Sequence, residues 1–431
     1  MSGRADGVAA GGAAAAPRQP NREAVERLLA GHPFLVDVRP AIEVVPGMRA
    51  DLVLHAGPPL AWDEMVPPMR AAVQGALVHA GLCRTIEDAG RLAAGGGVRF
   101  ASAHDHGVVG PMAGIVVSTM PVFVVRNETY GNLAFATINE GLGRVLRFGA
   151  NDVDVLTRLA WIRDVLAPAL RGALRRSGPI DLRQLIVEAL HRGDECHNRN
   201  KAATALFLKV VAPHLARAVA GGVAADCFEF IGGNDHFFLN LSIAHSKALT
   251  DAVPSIPGSG FVTAMAGNGV RFGLRVAGLG RAWVTAPPDP PVGRWFEGFT
   301  EADGVPLMGD SYVSEVVGIG AFAMAAAPAI AGFIGGKASE MIAHASRMYA
   351  ITEVEHPLFT VPGLDFRGTP CGIDVARVVA TGIAPILNTG VAGRRPGIGQ
   401  IGAGIATAPL ACFREAQALL GNRAEASVDG P

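Results

Sequence analysis

The chain has 431 residues, 50 % of them hydrophobic and 17 % charged, with a net charge of −1, 55 glycines and 29 prolines. That balance lacks the basic footprint of a nucleic-acid or anionic-membrane partner, and the glycine content speaks for many turns rather than a helical bundle. The five cysteines (Cys83, Cys196, Cys227, Cys371, Cys412) are odd in number and form no CxxC pair. They exclude a disulfide framework and a structural zinc site, and fit a reducing cytoplasm.

Taken in order, residues 1–20 are Ala/Gly-rich without a continuous apolar run and read as a disordered leader. Val25, Leu28 and Leu29 share one face of a helix over 21–29, and Phe34 to Val38 reads as a buried strand. Asp51 to Pro59 is a strand running into a Gly-Pro turn. Helices are expected over 69–80 and over 85–94, the second capped by Thr85 with Asp88 at its third position. Pro121 to Val125 reads as a strand. Helical periodicity covers 152–175, 181–191 and 202–220, the last interrupted or re-angled at Pro213. Phe228 to Ile231 is expected as a short strand and 239–251 as a helix. A hairpin turns at Gly267-Asn268-Gly269, and Pro396 to Gly404 supplies a long glycine-rich turn.

Val316 to Gly336 carries no charge and is about long enough to span a bilayer, but it is mostly Ala and Gly and holds Pro328. It reads as a tight buried helix rather than a membrane span. The fold class is α/β, multi-domain: a leader (1–20), an N-terminal α/β domain (21–150), a mainly helical segment (151–225), a C-terminal α/β domain (226–420) and a disordered tail (421–431).

Two polar knots interrupt this oily chain, Gly193-Asp194-Glu195-Cys196-His197-Asn198-Arg199-Asn200 and Gly232-Gly233-Asn234-Asp235-His236, the latter closing with Asn240. Burying such groups costs several kcal/mol each unless they are paired, so knots flanked by Leu185–Val187 and Leu206–Leu208 read as a pocket wall. A division of labour follows. Arg199 would grip an anionic oxygen in a bidentate fork, Glu195 and His197 would move protons, Asn198 and Asn200 would orient amides or carbonyls, and Asn234 is a further substrate-binding candidate. Asp235 and His236, adjacent in sequence, would each serve a different partner as further catalytic groups. A buried network bracing two helices is the competing reading of the same residues.

Further binding candidates are Asn139 and Glu140, Arg147, Arg367, Asn388 and Gln400. The glycine-rich run beside Gln400 either cradles an anion on free N–H groups or packs tightly. His104 and His106 straddle Asp105, and on a strand both would face one ligand. They are read as pocket histidines, as a polar turn, or as ligands of a divalent metal completed by Glu195 or Asp235. Cys196 and Cys371 read as small buried hydrophobes, and no G-x-S-x-G elbow is present.

Leu54–Pro59, Val109–Gly114, Asn139–Gly143, Leu146–Ala150, both knots, Asp365–Pro370 and Gly397–Gly404 together resemble the YlbE-like family of bacterial proteins, over roughly 21–415. The resemblance implies a cytoplasmic subunit of a multi-component oxamate carbamoyltransferase of purine-ureide (allantoin) catabolism. Carbamoyl phosphate would be a substrate, and oxalurate and phosphate the products. It further implies an FdrA-like partner subunit related to acyl-CoA synthetases, a third small subunit, and self-association. Arg147, Arg199, Arg367 and the asparagines would supply the donors that carbamoyl transfer needs. The Ser-Thr-Arg-Thr phosphate grip of ornithine and aspartate carbamoyltransferases is absent. A different transfer or hydrolysis on a ureide or small amide acid, or a non-catalytic structural subunit, are the alternatives.

Overall fold

The structure, a computed structural model, describes residues 19–428. The expected leader lies outside these residues except for Gln19 and Pro20, which open the helix Gln19–Ala30. The architecture is mixed α/β, as the alternation of strand and helix patterns implied.

The helix Leu239–Thr250 runs through the interior, and all twelve of its residues are buried. It packs on the strands Pro121–Asn127 and Leu133–Thr137. These belong to a four-stranded antiparallel sheet that continues through Pro33–Pro40 to Ile180–Asp181. Such a helix must satisfy its own polar side chains. Ser246 donates to Ser242 O at 2.9 Å, and the Lys247 ammonium pairs with Asp251 at 2.6 Å. A second antiparallel sheet orders Met308–Gly309, Val262–Asn268, Phe272–Val276 and Val284–Ala286. A third sets Gln400–Thr407 between Val292–Trp295 and Ile386–Ala392. Leu52–His55 and Arg99–Ser102 form a parallel pair. One buried apolar cluster collects residues from Ala24 to Ala416, a second from Ala41 to Ala392.

Local chemistry explains the element ends. Thr85 Oγ1 accepts the Asp88 N–H at 3.0 Å, the cap expected there. Asp152 and Asp181 cap Val153–Trp161 and Leu182–Leu190 in the same way. Pro168 brings no N–H to its helix, and the ladder widens into a π turn over Ile162–Leu166 just before it. In the hairpin, Asn268 Oδ1 accepts the N–H groups of Val270 and Arg271, closing the turn with Gly269 at φ 81°.

Five expectations are corrected. Phe228–Ile231 is not a strand: it lies in the helix Gly221–Gly233, whose buried Ala224, Cys227 and Ile231 recur at helical spacing. The lysine-bearing helix Lys201–Ala218 continues through Pro213. The segment 316–336 is largely buried but is not one helix. Gly318 (φ 87°) and Gly320 (φ 66°) break it into the short turns Gly320–Ala323, Pro328–Ile330 and Ala331–Ile334. Among the described residues no helix is long and apolar enough to cross a membrane. The glycine-rich run from Gln400 is a strand, not a turn: a Cβ on Gly404 would strike the backbone of Val292 and Gly293 in the neighbouring strand. The helix Leu410–Val428 carries on through residues 421–428, expected to be structureless.

Candidate functional site

Asp194 Oδ2 accepts the N–H of Ala203, in the first turn of Lys201–Ala218, at 2.9 Å, so that helix start is occupied by the chain's own carboxylate. The next residue folds the loop over itself. Glu195 Oε2 accepts His197 N–H at 2.8 Å, and its Oε1 accepts Asn198 and Arg199 N–H at 2.6 and 2.7 Å. Burial pushes Glu195 up to about 7, against the pull of His197 and these donors. Cys196 sits at φ 63°, a costly angle for a side-chain-bearing residue, with its carbonyl held by Ser242 Oγ at 2.6 Å. Both Glu195 oxygens are thus taken up by backbone donors of its own loop, and the residue borders neither the chamber nor the bay described below.

The loop presents His197 to Glu315. His197 Nδ1 lies 2.9 Å from Glu315 Oε1, and both side chains are buried. The same oxygen accepts Ala321 N–H at 3.0 Å, while Glu315 Oε2 has no partner. Burial pulls the His197 pKa down, but the charge and hydrogen bond of Glu315 outweigh it, and the net shift is upward. A Cβ on Gly320 would lie 2.5 Å from Glu315 Oε1 and 3.1 Å from His197 Nδ1, at a φ of 66° that side chains avoid. Gly320→Ala is expected to lower stability by about 1–3 kcal/mol, read as a drop in the denaturation midpoint.

Arg147 follows the strand-to-turn segment Asn139–Gly143. It is 6 % exposed, makes no ion pair among the described residues, and leaves Nε and Nη1 without hydrogen-bond partners. Burial lowers its pKa to about 10, with Glu140 opposing. Glu140 turns its oxygens to Leu146 N–H (2.7 Å) and Arg147 N–H (3.4 Å) rather than to the guanidinium. Behind Arg147 an amide chain links Asn234 Nδ2 to Asn139 O (3.0 Å), Asn139 Nδ2 to Asn240 Oδ1 (2.8 Å) and Asn240 Nδ2 to Thr137 O (2.7 Å). Asn234 Oδ1 accepts His236 N–H at 3.0 Å and so aims the second knot at the first. Burial, then the nearby charge of Arg147, lowers His236 to about 3, and the ring stays neutral.

These groups enclose a chamber bordered by Arg147, His197, Asn198, His236, Ser311 and Gln400, with free space of about 20 Å³, room for a single water. Asn198, His236 and Leu142 also border an outer bay of about 290 Å³ closed on its far side by Ile330 and Phe333. Asn198 Nδ2 has no partner. Met112, at φ 59°, borders the chamber opposite.

The remaining candidates fall in three places. Arg199 lines the bay, but its Nε is spent on Gly193 O at 2.8 Å and faces Asp194 at 3.4 Å, so an anion fork there is left to its terminal nitrogens. Asn200 gives Nδ2 to His197 O. Asp235 is exposed on the rim, paired with Lys201 at 2.7 Å, rather than catalytic at the centre. Asn388 is buried beside Glu315, its N–H 3.4 Å from Oε1 and both side-chain polar atoms unpaired. Arg367 stands apart, giving Nε and Nη2 to the one oxygen Glu355 Oε1 and stacked on Tyr349 at 3.7 Å, and borders neither the chamber nor the bay.

His104 and His106 do not share a face. They lie on a one-turn 3₁₀ helix, Ala103–His106, with His104 buried 3.3 Å from Asp310 and His106 bonded to Pro46 O at 2.6 Å. Among the described residues no three His, Cys, Asp or Glu side chains gather in a way that would hold a metal ion. The donor set expected for a divalent metal is thus dispersed.

Residues missed in the sequence cluster in Gly309-Asp310-Ser311-Tyr312-Val313-Ser314-Glu315. Asp310 accepts Gly57 N–H (2.8 Å) and Gly110 N–H (3.0 Å), tying two glycine motifs together beside the chamber. Two isolated carboxylates just ahead of a charge-free stretch were the signal available.

The family described as oxamate carbamoyltransferase subunit AllG matches residues 98–311, which contain Arg147 and both knots. The chain is 42 % identical over 402 residues to the oxamate carbamoyltransferase subunit AllG of Escherichia coli (strain K12), covering 92 % of this chain and 96 % of that one. It is 45 % identical over 397 residues to the uncharacterized protein YahG of the same organism, covering 92 % and 84 %. The crystal structure of a conserved protein of unknown function from Enterococcus faecalis V583 superposes with a TM-score of 0.92 at 44 % identity, over 94 % of this chain and 97 % of that one. With the fold, the knots and the relatives in agreement over nearly its whole length, the chain belongs to the AllG family of oxamate carbamoyltransferase subunits.

Proposed function

We propose that the chain is a carbamoyltransferase subunit that binds carbamoyl phosphate and a small amide acid, oxamate, in the bay and chamber around Arg147. The observation that carries this is the Arg147 guanidinium, buried with unpaired donors in a pocket wall. Desolvating a cation without a partner costs several kcal/mol, and an arriving oxyanion would repay that cost.

In the reaction the amide nitrogen of oxamate attacks the carbamoyl carbon. The carbon–oxygen bond to phosphate breaks, phosphate leaves with the electron pair, and the proton given up by the attacking nitrogen ends on the released phosphate. Arg147 would neutralise the phosphate. His197, held by Glu315, would donate to the leaving oxygen, and Asn198 would orient the carbamoyl carbonyl. Neutral His236 would accept a hydrogen bond from the amide without adding charge beside Arg147.

The chamber holds only a water as it stands, so Leu142 must lift for substrate to reach Arg147. Leu142 is 40 % exposed and lies between Gly141 (φ 105°) and Gly143 (φ 78°), glycines suited to such a movement. An FdrA-like subunit, a third small subunit and further copies of this chain would complete a cytoplasmic assembly in purine-ureide breakdown. Equilibrium dialysis of the chain with carbamoyl phosphate, and turnover to oxalurate by the assembly, test the proposal. Absence of binding by the chain, alone and in the assembly, would reject it.

A further inference from the structure

The largest open cleft among those described here is not the one around the polar knots. It lies between the His104–Gly107 turn, the end of the central helix at Thr250–Ser255, and the strand carrying Arg275, with a volume of about 570 Å³, well within the range of small-ligand sites. Nothing in the carbamoyl-transfer reading uses it.

Its inner wall is Arg275, 6 % exposed on a strand whose residues are all buried. One guanidinium nitrogen, Nη2, pairs with Asp105 at 2.5 Å, and the group stacks over Trp283 at 4.2 Å. Its Nε is buried without a partner, as is Trp283 Nε1. A guanidinium only donates, so what completes Arg275 Nε must be an acceptor. At the rim Arg281, largely exposed, donates to Asp105 O at 2.7 Å and lies 3.6 Å from Asp105 Oδ1. The single carboxylate of Asp105 thus faces two guanidinium groups, while Asp251 across the cleft is balanced by Lys247. A buried guanidinium with an unpaired donor, a second guanidinium at the rim and an open mouth together specify an oxyanion.

We propose that this cleft is a second ligand site, which binds a small monoanionic oxyanion (a carboxylate or a phosphate) between Arg275 and Arg281. The test uses the full chain labelled with 5-fluorotryptophan, the Trp283 resonance being assigned with Trp283→Phe. Inorganic phosphate and oxamate are titrated separately in ¹⁹F NMR. The Trp283 resonance is expected to shift saturably with at least one of them, and the responding anion tells carboxylate from phosphate. Arg281→Ala, at an exposed position that should not disturb folding, is expected to raise the midpoint about tenfold or more, the worth of a charge-assisted contact. The same shift should persist in Arg147→Ala, which separates this cleft from the chamber around Arg147. No shift with either anion, a midpoint unchanged by Arg281→Ala, or a shift abolished by Arg147→Ala would each overturn the proposal.

Discussion

Arg147→Ala is expected to weaken carbamoyl phosphate binding about 100-fold, roughly 3 kcal/mol, the scale of losing one preorganised charged donor in a closed site. Arg147→Met, which keeps the volume of the side chain, should not destabilise the protein. Arg147 has no carboxylate partner, its Nε and Nη1 are unbonded, and its pKa is drawn down to about 10 by burial. Replacing a buried cation that lacks a hydrogen-bonded carboxylate by an apolar chain of similar length removes a desolvation cost that Glu140 offsets only in part, so Arg147→Met should denature close to the natural sequence. Arg147→Lys keeps charge but loses the planar fork, and should recover only part of the affinity. Dialysis and thermal denaturation on the three variants decide the matter. Affinity retained in Arg147→Ala, or a large loss of stability in Arg147→Met, would make Arg147 a structural brace.

The contrast with Arg199 shows how far the sequence could be read. Both arginines lie in glycine-rich polar motifs, and composition alone does not rank them. Position along the fold does: Arg199 is close enough to Gly193 and Asp194 to fold back on its own loop, whereas the one acid beside Arg147, Glu140, spends its oxygens on backbone N–H groups. Burial of the knots was legible because so few charges occur in the chain, and His197, Asn198 and His236 do meet around one chamber. Their assignment as acid, base or brace was not, since it depends on which backbone N–H groups a loop turns inward, as at Glu195.

Secondary structure failed where one pattern served two periods. Phe228 and Phe230 alternate like a strand, but Ala224, Cys227 and Ile231 carry the buried helical face. The glycines of 400–407 looked like a phosphate loop because sequence does not reveal that Val292–Trp295 lies alongside. His104 and His106 separated because a 3₁₀ turn replaces the strand that would have aligned them. The family resemblance, carried by motifs scattered over nearly the whole chain, reached the oxamate carbamoyltransferase subunits independently of these errors.

Glu315→Gln should keep the shape of the site and change its pH dependence. The amide oxygen can still accept from Ala321 N–H and from His197 Nδ1–H, so the loops remain in place. What disappears is the negative charge that holds His197 above its ordinary value in spite of burial. The other groups coupled to the ring are Glu195, which also favours the cation, and His236, which is neutral and beside Arg147. If cationic His197 donates to the leaving phosphate, kcat/KM of the assembled transferase stays high past pH 6.5 and falls as pH rises through the raised pKa. In Glu315→Gln that fall should move to lower pH by about 1 unit or more. Stability should follow the same sign. The ion pair contributes fully below 6.5, and its contribution is lost as pH rises through the raised folded pKa of His197, so the two proteins should differ most near pH 6 and converge once the pH is above that folded pKa. An NMR titration of the His197 ring gives the shift directly. Superimposable pH–rate profiles would remove His197 from the chemistry, while a rate loss independent of pH would leave Glu315 only a packing role.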